Sequence, residues 1–217
     1  MKNIILKWLL PSAMFAFALV ANAYYPEPQG PLADFVENKD WKVVDGVALA
    51  KDGKSFSVAA NDAPVVLSEM AGSEPYELLS RSGFGDAWLK VNFMVTENTI
   101  AWVYLQSRYA LSLSSGAKVQ ASAALQAGAL LNKNEGASEL LKLTGIDAAK
   151  KVELTPGKMH SLEVKFRAPR YDEANNKTDN AMILEAKIDD VVIHSNTFLT
   201  SFSYGTKYNW EEPFGPL

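Results

Sequence analysis

The sequence holds no cysteine and only two histidines, His160 and His194, in 217 residues. The missing thiols exclude a disulfide scaffold, a thiolate zinc site, an iron–sulfur cluster, a cysteine nucleophile and a lipid-modified N-terminal cysteine. Two histidines are too few for a multi-histidine metal centre, so no metal and no cofactor is expected. Positive charge is also scarce: 21 Lys and Arg stand against 25 Asp and Glu. A phosphate-tracking surface needs the opposite balance, so nucleic acid is not an expected partner. The sequence has no Gly-rich phosphate loop, Gly-x-Ser-x-Gly elbow or His-Glu-x-x-His pattern, and no internal repeat. Whatever chemistry it performs falls to carboxylates, Lys, Arg and Tyr.

Residues 1–23 read as a secretory leader. Lys2 and Lys7 supply the charged start, Trp8 to Val20 the apolar stretch, and Ala21-Asn22-Ala23 the small-residue cleavage site before Tyr24. The apolar stretch is interrupted by Pro11 and Ser12 and falls short of the ~20 residues needed to span a bilayer. The expectation is export to a periplasm or the medium, with no membrane association once the leader is cut. Of 217 residues, 23 removed leaves 194, and losing Lys2 and Lys7 moves the balance to 19 basic against 25 acidic. That size fits one domain with a substantial core. Residues 24–40 read as an extended lead-in, with Pro26, Pro28, Gly30 and Pro31, and residues 41–217 as the domain.

Within the domain the dominant period is two. Lys54-Ser55-Phe56-Ser57-Val58 alternates, as do residues 88–95, and residues 160–167 place Leu162, Val164 and Phe166 on one face. Asp45-Gly46 between apolar runs predicts a hairpin, and Ile188-Asp189-Asp190-Val191 predicts a second one with an acidic turn. Strands without alternating helices predict an all-β antiparallel sandwich or jelly roll. Residues 117–150, rich in Ala, Leu and Lys, predict a short helical insertion, clearest at residues 137–143.

The C-terminal half carries Pro156-Gly157-Lys158-Met159-His160 with the strand that follows, Ala168-Pro169-Arg170-Tyr171-Asp172, Asn176-Lys177-Thr178-Asp179-Asn180-Ala181 and Val191-Val192-Ile193-His194. In these motifs it resembles the 3-keto-disaccharide hydrolase domain family. Upstream, Trp41 to Val47 resembles the family's opening hairpin, residues 103–109 its central strand and Gly128-Ala129-Leu130 its Gly-Ala-hydrophobic motif. The resemblance implies an exported concanavalin-like jelly roll with a carbohydrate partner. It also implies opening of glycosidic bonds in sugars oxidised at C3. The ketone acidifies the C2 proton, so a general base can remove it and the glycosidic oxygen can leave by elimination across C1–C2, with water then adding back.

The sequence departs from the family where a site is expected. Ile100-Ala101-Trp102 stands for Asn-Ser-Gly, and Tyr109-Ala110-Leu111-Ser112 for Tyr-Glu-x-Gln, so a carboxylate has become the methyl group of Ala110. Leu131 replaces a Tyr and Met159 a Trp. The family pattern also continues beyond the motif that here reads Gly215-Pro216-Leu217, which points to either a piece of a longer reading frame or a shortened member. The alternative to catalysis is a glycan-binding or structural module.

An unbroken strand places Trp102, Tyr104, Gln106 and Arg108 on one face, as a sugar groove or as part of a core, and Tyr109 on the other. Arg167 and Arg170 are candidates to grip hydroxyls or a ketone oxygen, or to form structural salt bridges. Arg108, Tyr109 and His194 are the candidates for proton transfer. Residues 172–180 carry enough oxygens for calcium but read equally as a polar loop.

Overall fold

The computed structural model describes residues 5–8, 15–18, 32–36, 41–60, 64–68, 77–116, 126–131, 145–203, 208 and 210–217. The early strands are Ile5–Trp8 (β1), Phe15–Ala18 (β2), Trp41–Val44 (β3), Val47–Leu49 (β4), Phe56–Val58 (β5) and Val65–Ser68 (β6). The middle of the chain supplies Gly83–Phe84 (β7), Ala87–Val95 (β8), Ala101–Leu105 (β9), Tyr109–Ser112 (β10), Leu130–Leu131 (β11) and Gly145–Ile146 (β12). The last group is Met159–Arg167 (β13), Arg170–Tyr171 (β14), Lys177–Asp179 (β15), Ala181–Ile188 (β16), Val191–Leu199 (β17) and Gly215–Pro216 (β18). There is no helix among the described residues. Residues 137–143, where a helix is expected, lie outside them.

The strands form an antiparallel sandwich. One sheet runs β17-β16-β13-β8-β2-β6-β3 and the other β1-β9-β10-β11-β12, with three two-stranded ribbons beside them. Alternation is the cause in β13, whose Leu162, Val164 and Phe166 are buried while Lys165 is exposed. These side chains meet Val91 and Phe93 of β8, Ile183 and Ile188 of β16, and Val103, Leu105 and Leu111 of the other sheet in one core. A second, smaller core lies where hairpin β4–β5 covers the outer side of the larger sheet, joining Val47 and Phe56 to Val65, Leu67 and Met94. The middle of that sheet is therefore buried on both faces. β1 and β2 both fall within residues 1–23, with β2 between β8 and β6 and β1 on the edge at β9.

The two expected hairpins have different outcomes. Ile188 and Val191 do pair, with Asp189 and Asp190 both at positive φ (48° and 64°), the geometry a two-residue primed turn needs. The Asp45-Gly46 hairpin does not form. β3 pairs with β6 and β4 with β5, and neither Asp45 nor Gly46 takes positive φ, so the link carries the chain from the sheet to a separate ribbon.

The Asp189 turn is tied to the strand beside it. Its carboxylate accepts the Ser161 amide at 2.9 Å and meets His160 Nδ1 at 2.6 Å, while His160 Nε2 accepts the Thr155 amide at 3.0 Å. Burial works against ionisation, but the Ser161 amide and the His160 ring more than offset it and hold Asp189 below its ordinary 3.8. A depressed carboxylate stabilises the fold above its unfolded pKa and loses that contribution as pH falls through the folded value. Asp189→Asn keeps a residue that tolerates the turn and removes the charge. It is expected to lower stability at neutral pH and to flatten the acid limb below about pH 3.8 in urea titrations across pH.

Candidate functional site

The run read as one strand from residue 102 to 109 is instead a hairpin. Gln106 and Ser107 both adopt φ of 55°, Arg108 N–H bonds back to Leu105 O at 3.0 Å, and Leu105 pairs with Tyr109. The turn shifts parity. Tyr109 joins Leu105 on the core face, Trp102 and Tyr104 lie on the other with Ser112 and Ala110, and Gln106 and Arg108 belong to neither. Trp102 and Tyr104 are 1% and 2% exposed, so neither presents a ring to a ligand, a correction to the groove expected from strand parity.

Gln106 and Arg108 hold chain, not ligand. Gln106 Nε2 donates to Phe84 O and Pro213 O at 2.7 and 3.0 Å. The guanidinium of Arg108, 2% exposed, donates to Trp210 O (2.6 Å), Gln106 O (2.9 Å), Phe214 O (3.3 Å) and Glu212 Oε2 (3.3 Å). The Tyr208 ring lies 5.0 Å from its charged carbon. Residues 210–217 are thereby strapped over the β9–β10 turn, and β18 pairs with β7 at their end. Gly215 is required by this closeness, because a Cβ there would stand 2.3 Å from Arg108 Nη1 and 2.6 Å from Gln106 O. Gly215→Ala is expected to lower the melting temperature by several degrees in calorimetry, since the backbone carbonyl cannot swing aside as a side chain can.

The strap brings Glu211 to Tyr109. The Tyr109 ring is buried against Phe166 with centroids 5.6 Å apart, and its hydroxyl donates to Glu211 Oε1 at 2.5 Å. Lys177 Nζ pairs with the other oxygen, Glu211 Oε2. Lys177 is placed by its pairing with Tyr171 across β14–β15. Burial, and after it the Glu211 hydrogen bond and charge, push the Tyr109 hydroxyl far above its ordinary 10.0, so it stays protonated at working pH. Tyr171 is raised for the same reasons, burial first and then the Glu211 charge. Glu211 and Lys177 keep 14% and 26% of their side chains exposed, which opens the cluster to solvent. Trp210, the residue before Glu211, is 50% exposed, edge-on to Tyr208, with Nε1 bonded to Glu212 at 2.7 Å. The arrangement offers a carboxylate, a phenolic proton donor, an ammonium and an open aromatic face.

The remaining sequence candidates lie in structural contacts. Arg167 pairs with Asp179 at 2.6 Å and donates to Asn180 O. Arg170 forks onto Asp86 at 2.9 and 2.6 Å, and that hydrogen bond, against the opposing cost of burial, holds Asp86 below its ordinary value. His194 lies within β17, 3% exposed, with Nε2 2.6 Å from Gly128 O. Burial lowers its pKa despite that bond, so it is neutral and enclosed, the opposite of an exposed proton carrier. Asp172 turns its carboxylate on its own loop, accepting the amides of Ala174 and Asn176 at 3.0 and 2.8 Å. Among the described residues no group of three or more His, Asp or Glu is placed to hold a metal ion.

Sequence reasoning missed Glu211, Trp210 and the role of Lys177. Lys177 stands inside a motif of the resemblance, whereas Trp210-Glu211-Glu212 carries no periodicity or spacing signal. A separate cleft of about 380 Å³, lined by Glu97, Asn98, Ser114, Ser115, Lys151 and Glu153 among others, shares no residue with the cluster. Its buried hydroxyls are spent internally, Ser115 donating to Thr96 O, and Ser114 accepting from Ser112 and donating to Ala101 O. No protein-family model matches the chain, and no curated protein or solved structure matches it.

Proposed function

We propose that the chain is an exported carbohydrate-active domain that opens 3-keto-glycosides by elimination and hydration at the Tyr109–Glu211–Lys177 cluster. The observation that carries this reading is a protonated, buried phenol and an ammonium on the two oxygens of one solvent-reachable carboxylate, next to an exposed Trp. In this reading Glu211 takes the C2 proton, and the C2–H electron pair moves into an enolate whose C3 oxygen is stabilised by Lys177. Collapse of the enolate forms the C1=C2 bond and breaks the C1–O bond, and the departing oxygen takes up the proton that Glu211 removed, while the enclosed Tyr109 hydroxyl holds the carboxylate in place. Water adds to C1 of the resulting enone and a proton returns to C2, giving net hydrolysis. Trp210 supplies the apolar face on which a pyranose ring stacks.

Incubation of the protein with a 3-keto-glucoside is expected to release the keto sugar in proportion to enzyme. No release above a heat-killed control would overturn the reading. One observation favours a second reading. Both Glu211 oxygens are already satisfied, as in a site that holds glycan without chemistry, and that module would show saturable sugar binding, weakened by Trp210→Ala, with no product.

A further inference from the structure

We propose that the exported form of this protein is a strand acceptor, its larger sheet closed by a four-residue, wholly apolar β-strand donated by another polypeptide. The inference rests on the reading of residues 1–23 as a leader removed on export. It is independent of what the Glu211 cluster does.

The slot is defined by what occupies it here. β2 lies antiparallel to both neighbours, Phe17 opposite Phe93 on one side and Val66 on the other, Ala16 opposite Met94 and Leu67. Among the described residues it is the link between the β3–β6 pair and the rest of the larger sheet. Cleavage before Tyr24 would take it away and leave two facing strand edges, residues 66–67 and 92–95, a strand's width apart.

Those edges lie in apolar surroundings on both faces. Val66, Phe93 and Val95 belong to the main core, Leu67 and Met94 to the smaller core under β4–β5. All five are 9% exposed or less. Backbone groups left unpaired there lose water without gaining a partner, so the slot does not stay empty without penalty. Both cores abut the slot, so an occupant needs apolar side chains at successive positions, not at alternate ones. It must also offer an unbroken ladder of amides, which excludes proline. Residues 15–18, Phe-Ala-Phe-Ala, meet both demands. β1 leaves with the same segment, exposing the β9 edge as a secondary site.

The first test uses the uncleaved chain. In this cysteine-free protein Ala16→Cys with Leu67→Cys is expected to cross-link under oxidation, because the two positions are paired. No cross-link would overturn the seating. The second uses the protein as an exporting host delivers it, weighed to establish cleavage. A product that keeps residues 1–23 overturns the proposal but leaves the reading of the Glu211 cluster untouched. In the cleaved product, those amides of residues 66–67 and 92–95 that point into the slot are expected to exchange at least tenfold faster than the amides of residues 162–166. A synthetic peptide of residues 14–20 should slow that exchange at least tenfold, and the same peptide with Ala16→Pro should not. If the cleaved product is insoluble, recovery of soluble protein on refolding with the peptide, but not with its proline form, supports the proposal. Failure of both peptides overturns it. Slow exchange at both edges without peptide overturns it too, and if that protection depends on protein concentration the slot belongs to a second copy.

Discussion

Glu211→Gln is expected to lower turnover of a 3-keto-glucoside by about 10²–10⁴-fold, the usual contribution of a positioned general base. The substitution is close to isosteric. A carboxamide oxygen can still accept the Tyr109 hydroxyl, now 2.5 Å from Glu211 Oε1, but the amide NH₂ faces the Lys177 ammonium and cannot replace its ion pair. Lys177 and Glu211 both reach solvent, so the structural loss should be small, and a melting curve within a few degrees of the parent would separate chemistry from folding. Tyr109→Phe makes the complementary test. It keeps the ring against Phe166 and removes only the proton donor. A phenol that only holds Glu211 in place predicts a loss that is the same for good and poor leaving groups. A loss that grows as the leaving group becomes poorer would make Tyr109 the acid instead. In a binding module neither substitution has turnover to affect.

Arg108→Ala is expected to produce the largest loss of stability, about 3–5 kcal/mol, from buried carbonyls left without donors and from the cavity opened. Its guanidinium donates to three backbone carbonyls and Glu212 from a 2% exposed position. An alanine would leave the carbonyls of Gln106, Trp210 and Phe214 short of donors and open a void under residues 210–217. Arg108→Lys should recover less than half, because a point ammonium cannot serve three divergent acceptors as a planar fork does. Glu212→Gln, by contrast, should cost under about 1 kcal/mol, since Glu212 is 54% exposed and the pair is a rim contact. Urea midpoints at constant slope would rank the three. Equal losses for Arg108→Ala and Glu212→Gln would mean that the carbonyl contacts carry little of the strap's stability. The same variant should lower turnover, because Glu211 is delivered by the strap that Arg108 holds.

How far the sequence reached differs between elements. β8 and β13 were legible because alternation over nine residues leaves one way to bury Leu162, Val164 and Phe166. The Ile188–Val191 turn was legible because Asp tolerates the left-handed backbone that a two-residue turn requires. Asp45-Gly46 carried the same kind of signal and formed no hairpin, since the strands on either side found better partners in β6 and β5. The break at Gln106 and Ser107 was not legible. Neither residue is a Gly or Asn, and their positive φ is held by tertiary contacts, Gln106 to Phe84 and Pro213, Ser107 to Pro216. One misplaced turn was enough to put Trp102 and Tyr104 in a groove when they are buried.

The sequence by itself determined the fold class, because two-residue periodicity and the lack of βαβ alternation are local properties that each segment carries alone. It also excluded thiol and polyhistidine chemistry, because a missing residue is missing in any fold. Only the tertiary structure decided which titratable groups meet. Tyr109 and Glu211 are 102 residues apart, and Lys177 and Glu211 are 34. No spacing rule operates over such distances. They come together because Arg108, buried for the sake of backbone carbonyls far along the chain, straps residues 210–217 across the β9–β10 turn, and that packing has no signature in the order of residues.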